Sequence, residues 1–176
     1  FLTYFRTFVP VSNRYMAVKI TIYTDGSALG NPGKGGYGVV LQSGQHYKEL
    51  SAGYRLTTNN RMELLAVIVA LETIKAEHAD ITLYSDSRYV VDAIEKGWLI
   101  SWQRTNFKNK KNIDLWKRFL SVYPRHDIRF VWVKGHASIP LNERCDFLAT
   151  QAAARTDLLI DEGYEAAISE ENALTE

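Results

Sequence analysis

Ile20-Thr21-Ile22-Tyr23-Thr24-Asp25-Gly26-Ser27 is an alternating β-branched and aromatic run that stops at a carboxylate followed at once by glycine. With a side-chain period of two, Ile20, Ile22 and Thr24 share one face of a strand, while Thr21, Tyr23 and Asp25 share the other. The strand therefore delivers an acid at its C-terminal end. Asp-Gly is also a common turn dipeptide, so Asp25 taken alone is either a turn residue or a ligand. The other acids of the chain must decide between the two.

Ile81-Thr82-Leu83-Tyr84-Ser85-Asp86 repeats the device, and a helical pattern starts at Ser87. In α/β sheets the C-terminal ends of neighbouring parallel strands form the usual crevice for ligands. If these two strands are adjacent, Asp25 and Asp86 face each other as like charges that need a cation between them. Between them, residues 27–36 are turn-rich but lack the spacing of a phosphate-binding Walker loop. Residues 37–41 and 47–54 read as strands separated by Gln42-Ser43-Gly44-Gln45, giving an antiparallel meander of three.

Thr57-Thr58-Asn59-Asn60 offers four helix caps before residues 61–72, which are apolar nearly all round and so predict a helix buried against the sheet. Glu63 is the odd member of that helix. Asn60-x-x-Glu63 approximates a capping box, and acids favour helix N-termini, so its bland reading is a first-turn cap. A further amphipathic helix at 112–120 leads to a fifth strand at 128–133. The loop after it carries His136 between Gly135 and Pro140, where a lone histidine is ordinarily a surface group. Asp146 follows a cap expected at Asn142, and its bland reading is again a first-turn acid. Four carboxylates, each at an element end or first turn, weaken these separate explanations together. The predicted order is β-β-β-α-β-α-α-β-α.

Composition bounds the rest. At 176 residues, 46% hydrophobic and 23% charged, the chain suits one domain with a core that needs no disulfide or metal staples. One cysteine, Cys145, excludes an internal disulfide framework and fits a reducing compartment. No apolar run approaches the roughly 18 to 20 residues of a membrane span. The formal net charge of +1 hides segregation: residues 96–118 are basic, and the stretch after Asp157 has acids but no Lys or Arg. In the basic segment, Lys96, Arg104, Lys108, Lys110, Lys111, Lys117 and Arg118 are interleaved with Trp98, Trp102, Phe107 and Trp116, with Asp114 alone opposing them. That mixture suits a surface that tracks a phosphate backbone with cations and lays rings against sugars or bases. Residues 1–15 show no helical or strand period and lack the apolar core and cleavage site of a secretory signal. They read as a disordered or non-native leader, with a natural start at Met16.

Tyr23-Thr24-Asp25-Gly26-Ser27, Gly30-Asn31-Pro32-Gly33, Gly36-Tyr37-Gly38, Thr58-Asn59-Asn60-Arg61-Met62-Glu63, Ser85-Asp86-Ser87, Val133-Lys134-Gly135-His136 and Asn142-Glu143-Arg144-Cys145-Asp146, in this order, resemble ribonuclease H of the bacterial type I family. The resemblance covers about residues 19–154. It implies an α/β, ribonuclease H-like fold: a five-stranded mixed sheet, three antiparallel strands then two parallel, flanked by helices. The chain divides into a leader at 1–15, a catalytic domain at 16–156 and an acidic tail at 157–176, in which Leu158-Leu159-Ile160-Asp161-Glu162-Gly163-Tyr164 can pack locally while the acidic terminus beyond is expected to be disordered.

The resemblance also implies hydrolysis of the RNA strand of an RNA/DNA hybrid, giving 5′-phosphate and 3′-hydroxyl ends. Phosphodiester hydrolysis needs an activated water, a neutralised phosphate and a stabilised leaving oxygen, which two divalent ions about 3.5 to 4 Å apart can supply. Hard oxygen ligands favour Mg²⁺, with Mn²⁺ as a substitute. By resemblance Asp25 bridges both ions, Asp146 helps hold the one that activates water, and Glu63 with Asp86 holds the one beside the leaving oxygen. His136 is then a proton shuttle or an aid to product release. Asn31, Asn59 and Asn60 match positions along the RNA minor groove, where amides meet the 2′-hydroxyls that distinguish RNA from DNA. Thr58 with Asn59 grips a DNA phosphate, and Trp98, Trp102, Lys108, Lys110 and Lys111 take the DNA backbone. Arg88 stands where many relatives have glutamine, which makes its expected contact with the RNA strand ionic, and the basic stretch between Trp102 and Asn112 is short. The family-level setting is a cytoplasmic monomer with no obligate protein partner and no membrane. The rivals are another nuclease or integrase of the superfamily, and a non-catalytic hybrid-binding module; a pure binder gains nothing from four carboxylates gathered near phosphates.

Overall fold

The alternating run at 20–27 extends at both ends into a 12-residue strand, β1 (Lys19–Gly30), whose inward residues Ile20, Ile22 and Thr24 are buried. The computed structural model describes residues 17–135 and 137–174. The leader at 1–15 and His136 lie outside the described residues. β2 (Gly33–Ser43) and β3 (His46–Thr57) complete the meander, α1 (Asn59–Thr73) crosses the sheet, and β4 (Asp80–Ser85) returns. Then come α2 (Arg88–Glu95), α3 (Trp98–Arg104), α4 (Ile113–Val122), a single 3₁₀ turn (Tyr123–Arg125), β5 (Asp127–Trp132), α5 (Pro140–Ala153) and α6 (Glu162–Ala173).

The strands are ordered β3-β2-β1-β4-β5. β2 pairs antiparallel with both β1 and β3, whereas β4 runs parallel to both β1 and β5. This is the mixed sheet the sequence predicts, with the two acid-bearing strands adjacent: Thr24 is level with Ser85, which sets Asp25 beside Asp86 where the parallel pairing stops. β1 itself does not stop at the carboxylate, as its sequence suggests, but runs on to Gly30, with Asp25 inside the strand opposite Gly38 of β2.

α1 has no polar face to give to solvent, since Met62 to Ile68 without a break, together with Ala70 and Leu71, are buried. It packs on the face to which Gly26 points. A Cβ on Gly26 would collide with the Met62 and Glu63 backbone, so glycine is what lets the helix approach β1 beside Asp25. α5 covers the opposite face, over Gly36 and Gly38 of β2. A second part of the core lies under α4, where Trp116 is fully buried among the rings of Tyr89, Trp102 and Phe119.

Two elements depart from the predicted order. Trp98–Arg104 forms its own short helix, started by Gly97 in the left-handed conformation (φ 69°), where the sequence reads as one basic surface segment. After Asp157, residues 158–164 pack onto the domain as their sequence allows, whereas the acidic terminus expected to be disordered forms α6. Leu159 pairs with the outer edge of β3, its N–H donating to Gly53 O (2.8 Å) and its carbonyl accepting from Arg55 N (2.9 Å). Asp161 then caps α6, accepting from Tyr164 N, and is itself buried. Among the described residues no helix is long and apolar enough to cross a membrane.

Candidate active site

The sheet register and α1 bring three carboxylates together. Asp25 comes from β1, Asp86 from the residue after β4, and Glu63 from α1, and one oxygen of each lies within 4.8 Å of the other two. Glu63 is no cap. The helix begins at Asn59 with Thr58 as its N-cap, whose hydroxyl accepts from Arg61 N (3.4 Å), which places Glu63 beyond the first turn and facing the sheet. Asn59 Nδ2 donates to Glu63 Oε1 (3.4 Å), leaving Oε2 buried without a partner.

Asp86 is held from several sides. Trp132 Nε1 donates to its carbonyl (3.0 Å), Asn142 Nδ2 reaches Oδ2 (3.5 Å), and Oδ1 is buried and unpaired. Asp146 also lies deeper in its helix than the sequence suggests. α5 starts at Pro140, with Pro preset for the first turn and Ile139 as N-cap, so Asn142 is a buried helical residue and Asp146 sits nearly two turns in. It is not one of the three close-packed acids, but its charge reaches Asp25.

The electrostatics follow from this crowding. Burial first, then the charges of Asp86 and Asp146, push the Asp25 carboxyl from its ordinary 3.8 up to about 8, although Gly26 N–H donates to Oδ1 (2.8 Å). Glu63 is raised well above the ordinary carboxylate range by burial, with Asp25 and Asp86 adding to it. Three carboxylates this close, two with buried oxygens lacking any donor, form a cluster of hard oxygen ligands suited to a divalent cation.

At the start of α1, between Thr58–Asn60 and the Lys110–Asn112 segment, lies a groove of about 490 Å³. Asn31, Thr58, Asn60, Trp102, Lys110 and Lys111 line it, six of the residues the resemblance assigns to substrate. Asn59 is tied to it by its backbone N–H, which donates to Asn31 Oδ1 (3.2 Å). Trp98 is exposed with Lys96 Nζ 5.0 Å above its ring, and Lys110 Nζ lies 5.1 Å from the Trp102 ring centre. Lys108 is exposed and does not line the groove. Arg88 stacks on Trp132, 3.5 Å from the ring centre, and pairs with Asp92 (3.5 Å).

Two of the four aromatics in the basic segment have another task. Phe107 and Trp116 are buried in the core and present no ring to a ligand, which leaves Trp98 and Trp102 as accessible surfaces. Asp114 does not offset the basic segment either; it pairs with Arg61 (2.6 Å). Arg61 went unread in the sequence. The signal was an arginine at the start of an otherwise oily helix, where a buried guanidinium must have acids around it.

The family model for RNase H matches residues 17–154. A protein named Ribonuclease H from Syntrophus aciditrophicus is 57% identical over 151 residues, covering 83% of this chain and 87% of that protein. Among solved structures, LC9-RNase H1, described as a type 1 RNase H with the type 2 active-site motif, superposes with a TM-score of 0.72 at 31% identity, over 85% of this chain and 80% of that one. LC11-RNase H1, solved in complex with an RNA/DNA hybrid, has a TM-score of 0.52 at 25% identity, over 76% of this chain and 96% of that one. A sheet that sets two acid-bearing parallel strands side by side, matched by sequence across its whole extent, makes this chain a nuclease of the ribonuclease H family, of the bacterial type I kind.

Proposed function

We propose that the chain is an endonuclease that hydrolyses the RNA strand of RNA/DNA hybrids using two divalent ions, Mg²⁺ by preference, and leaves 5′-phosphate and 3′-hydroxyl ends. The observation that carries this is the meeting of Asp25, Glu63 and Asp86, delivered by three separate elements, with buried oxygens of Glu63 and Asp86 left without donors. A protein gains no stability from such a cluster, since each unpaired buried charge is unfavourable. The relatives add that one ribonuclease H of this fold has been solved bound to a hybrid.

Asp25, Glu63, Asp86 and Asp146 would hold the ions. When bound, the ions supply a nucleophilic water near neutral pH and neutralise charge on the phosphate. The remaining work belongs to the chain. Thr58 with Asn59, and Lys110 and Lys111 in the same groove, fix the backbone of the DNA strand while Trp102 packs against it. Asn59 sits between the groove and Glu63, and with Asn31 and Asn60 it gives the RNA strand amides that read 2′-hydroxyls. Arg88, stiffened by Trp132, contacts the RNA backbone beyond the cleaved bond, with Trp98 and Lys108 extending the basic surface. His136 moves a proton to or from the leaving group as product departs. The reading extends to a monomer acting in the cytoplasm, supported by a lone buried thiol at Cys145 and by a site assembled within one chain.

The test uses end-labelled RNA annealed to DNA, with matched RNA/RNA and DNA/DNA duplexes, incubated with Mg²⁺ and either the chain or its Asp25→Asn variant. The expected result is internal cleavage of the hybrid's RNA alone, and none by the variant. A hybrid that is bound but uncut in both Mg²⁺ and Mn²⁺ would overturn the proposal.

A further inference from the structure

The groove has one wall that no motif accounts for. Tyr164, from the first turn of α6, lines it together with Asn31, Thr58, Asn60, Lys110 and Lys111. It also borders a second cleft of about 580 Å³ between α6 and the Lys110–Lys111 segment. α6 lies beyond the stretch matched by the family model, which ends at 154. Its docking is nonetheless specific and reaches the residues that carry the groove.

The anchor is Arg61, which is 3% exposed. Its Nε and Nη2 donate to the two Asp161 oxygens, each at 2.7 Å, and its Nη1 and Nη2 donate to Asp114 at 2.9 and 2.6 Å. Burial alone would favour losing the guanidinium's proton, but the hydrogen bonds to Asp114 and Asp161 outweigh it and hold Arg61 charged. Asp161 also accepts from Thr57 Oγ1 (2.6 Å), immediately before Thr58. One carboxylate thus ties the C-terminal segment to the end of β3 and the start of α1, where Thr58, Asn59 and Asn60 stand.

Fully committed to two acids, Arg61 is not available to a phosphate. What the same segment presents to the groove is Tyr164. Its N–H is fixed by Asp161 Oδ1 (3.3 Å), the Arg61 guanidinium lies 5.9 Å from its ring centre, and its hydroxyl makes no hydrogen bond among the described residues. Gly163 permits this approach, because a Cβ there would collide with the Asp114 carboxylate.

We propose that Tyr164 is a further nucleic-acid contact, its phenol donating to a backbone phosphate of the DNA strand gripped at Thr58 and Asn59, and that Asp161 is the residue that positions it. The proposal rests on the reading of this groove as the hybrid-binding surface. Tyrosine hydroxyls are ordinary donors to phosphate oxygens, and a neutral donor adds affinity without releasing a counterion. Loss of the hydroxyl should therefore weaken binding while leaving its salt dependence intact.

The test measures binding of a fluorescent RNA/DNA hybrid to the full chain without divalent metal, over a range of salt, alongside steady-state cleavage with Mg²⁺. Tyr164→Phe keeps the ring over Arg61 and removes only the hydroxyl, so it should fold; Glu165→Gln disrupts the exposed Arg55–Glu165 pair on the same helix and serves as the docking control. We expect Tyr164→Phe to weaken binding about 3- to 10-fold and to raise KM by the same factor, with kcat and the salt slope unchanged. Glu165→Gln should bind as the wild type does. Asp161→Asn should lose at least as much as Tyr164→Phe, and Asp161→Glu should recover part of it. Wild-type affinity in Tyr164→Phe, or an equal loss in Glu165→Gln, overturns the role of the phenol while leaving hybrid cleavage standing. A wild-type chain that neither binds nor cuts the hybrid removes the functional reading and this one with it.

Discussion

Replacing Asp25 with asparagine should make the metal-free protein more stable, by an amount that depends on pH in a defined way. In the folded chain the Asp25 carboxyl is raised to about 8 by burial and by Asp86 and Asp146, against an ordinary 3.8. The folded state therefore holds the proton more tightly than the unfolded state. The associated stability is fully present below about pH 4 and is lost as pH rises through about 8, at about 1.4 kcal/mol per pH unit. Integrated over that window the loss is on the order of 5 kcal/mol, and asparagine, which cannot ionise, escapes it. Glu63 titrates with Asp25, so the variant also relieves part of the pressure on Glu63. Urea denaturation in EDTA, repeated from pH 4 to pH 9, should show near-equality at the acid end. At pH 8 the variant should lead by about 3 to 5 kcal/mol, or about 10 °C in Tm. Mg²⁺ should then raise the wild-type Tm and leave the variant nearly unmoved, because only the intact cluster gains binding energy. A lead that is absent at pH 8, or constant across the range, would refute the reasoning that like charges crowd this site.

Four further outcomes follow from the same geometry. Arg61→Leu should destabilise the fold by about 3 to 5 kcal/mol in urea melts, since it leaves Asp161 buried without its cation. Gly26→Ala should lower Tm and remove cleavage together, with about 1 to 3 kcal/mol lost as the new methyl forces α1 off β1; wild-type activity in that variant would contradict the packing. His136→Ala should reduce kcat about 100-fold, with Mg²⁺ binding measured calorimetrically unchanged. Arg88→Gln should lessen the dependence of hybrid affinity on salt by roughly one counterion, seen as a shallower slope of log K against log salt.

The sheet was legible because its signals are local. Alternation at 20–25 and 81–86, and the turn between residues 41 and 47, each lie within a few residues of what they specify, and the observed register follows from them. The acids were legible as candidates, but their positions in the helices were not. Glu63 and Asp146 both read as first-turn residues because the polar side chains just before them, Asn60 and Asn142, resemble caps. The helix α5 starts earlier, at Pro140, and α1 starts at Asn59 rather than Arg61. What could not be seen was long-range. Arg61 and Asp161 are separated by 100 positions, and nothing near Asp161 announces a partner that far back. Leu158, Leu159 and Ile160 hint at local packing, but the acidic, polar residues after Tyr164 resemble a disordered end, and only the buried arginine explains why the segment docks where it does. Phe107 and Trp116 illustrate the converse: aromatics within a basic segment read as a binding surface, whereas Trp116 fills the space between Tyr89, Trp102 and Phe119.

The short pairing of Leu159 with Gly53 and Arg55 also bears on how the molecule behaves among its own copies. β3 is the outermost strand on its side of the sheet, and an open strand edge is a template onto which another chain can add. Leu159 occupies the backbone donor of Arg55 and the acceptor of Gly53, so a neighbouring molecule meets a strand already partnered at that point. A chain cut just before Leu158 would keep all four acids and the whole sheet, yet expose that edge. Besides taking Asp161 from Arg61, such a cut would leave strands of separate molecules free to align along β3.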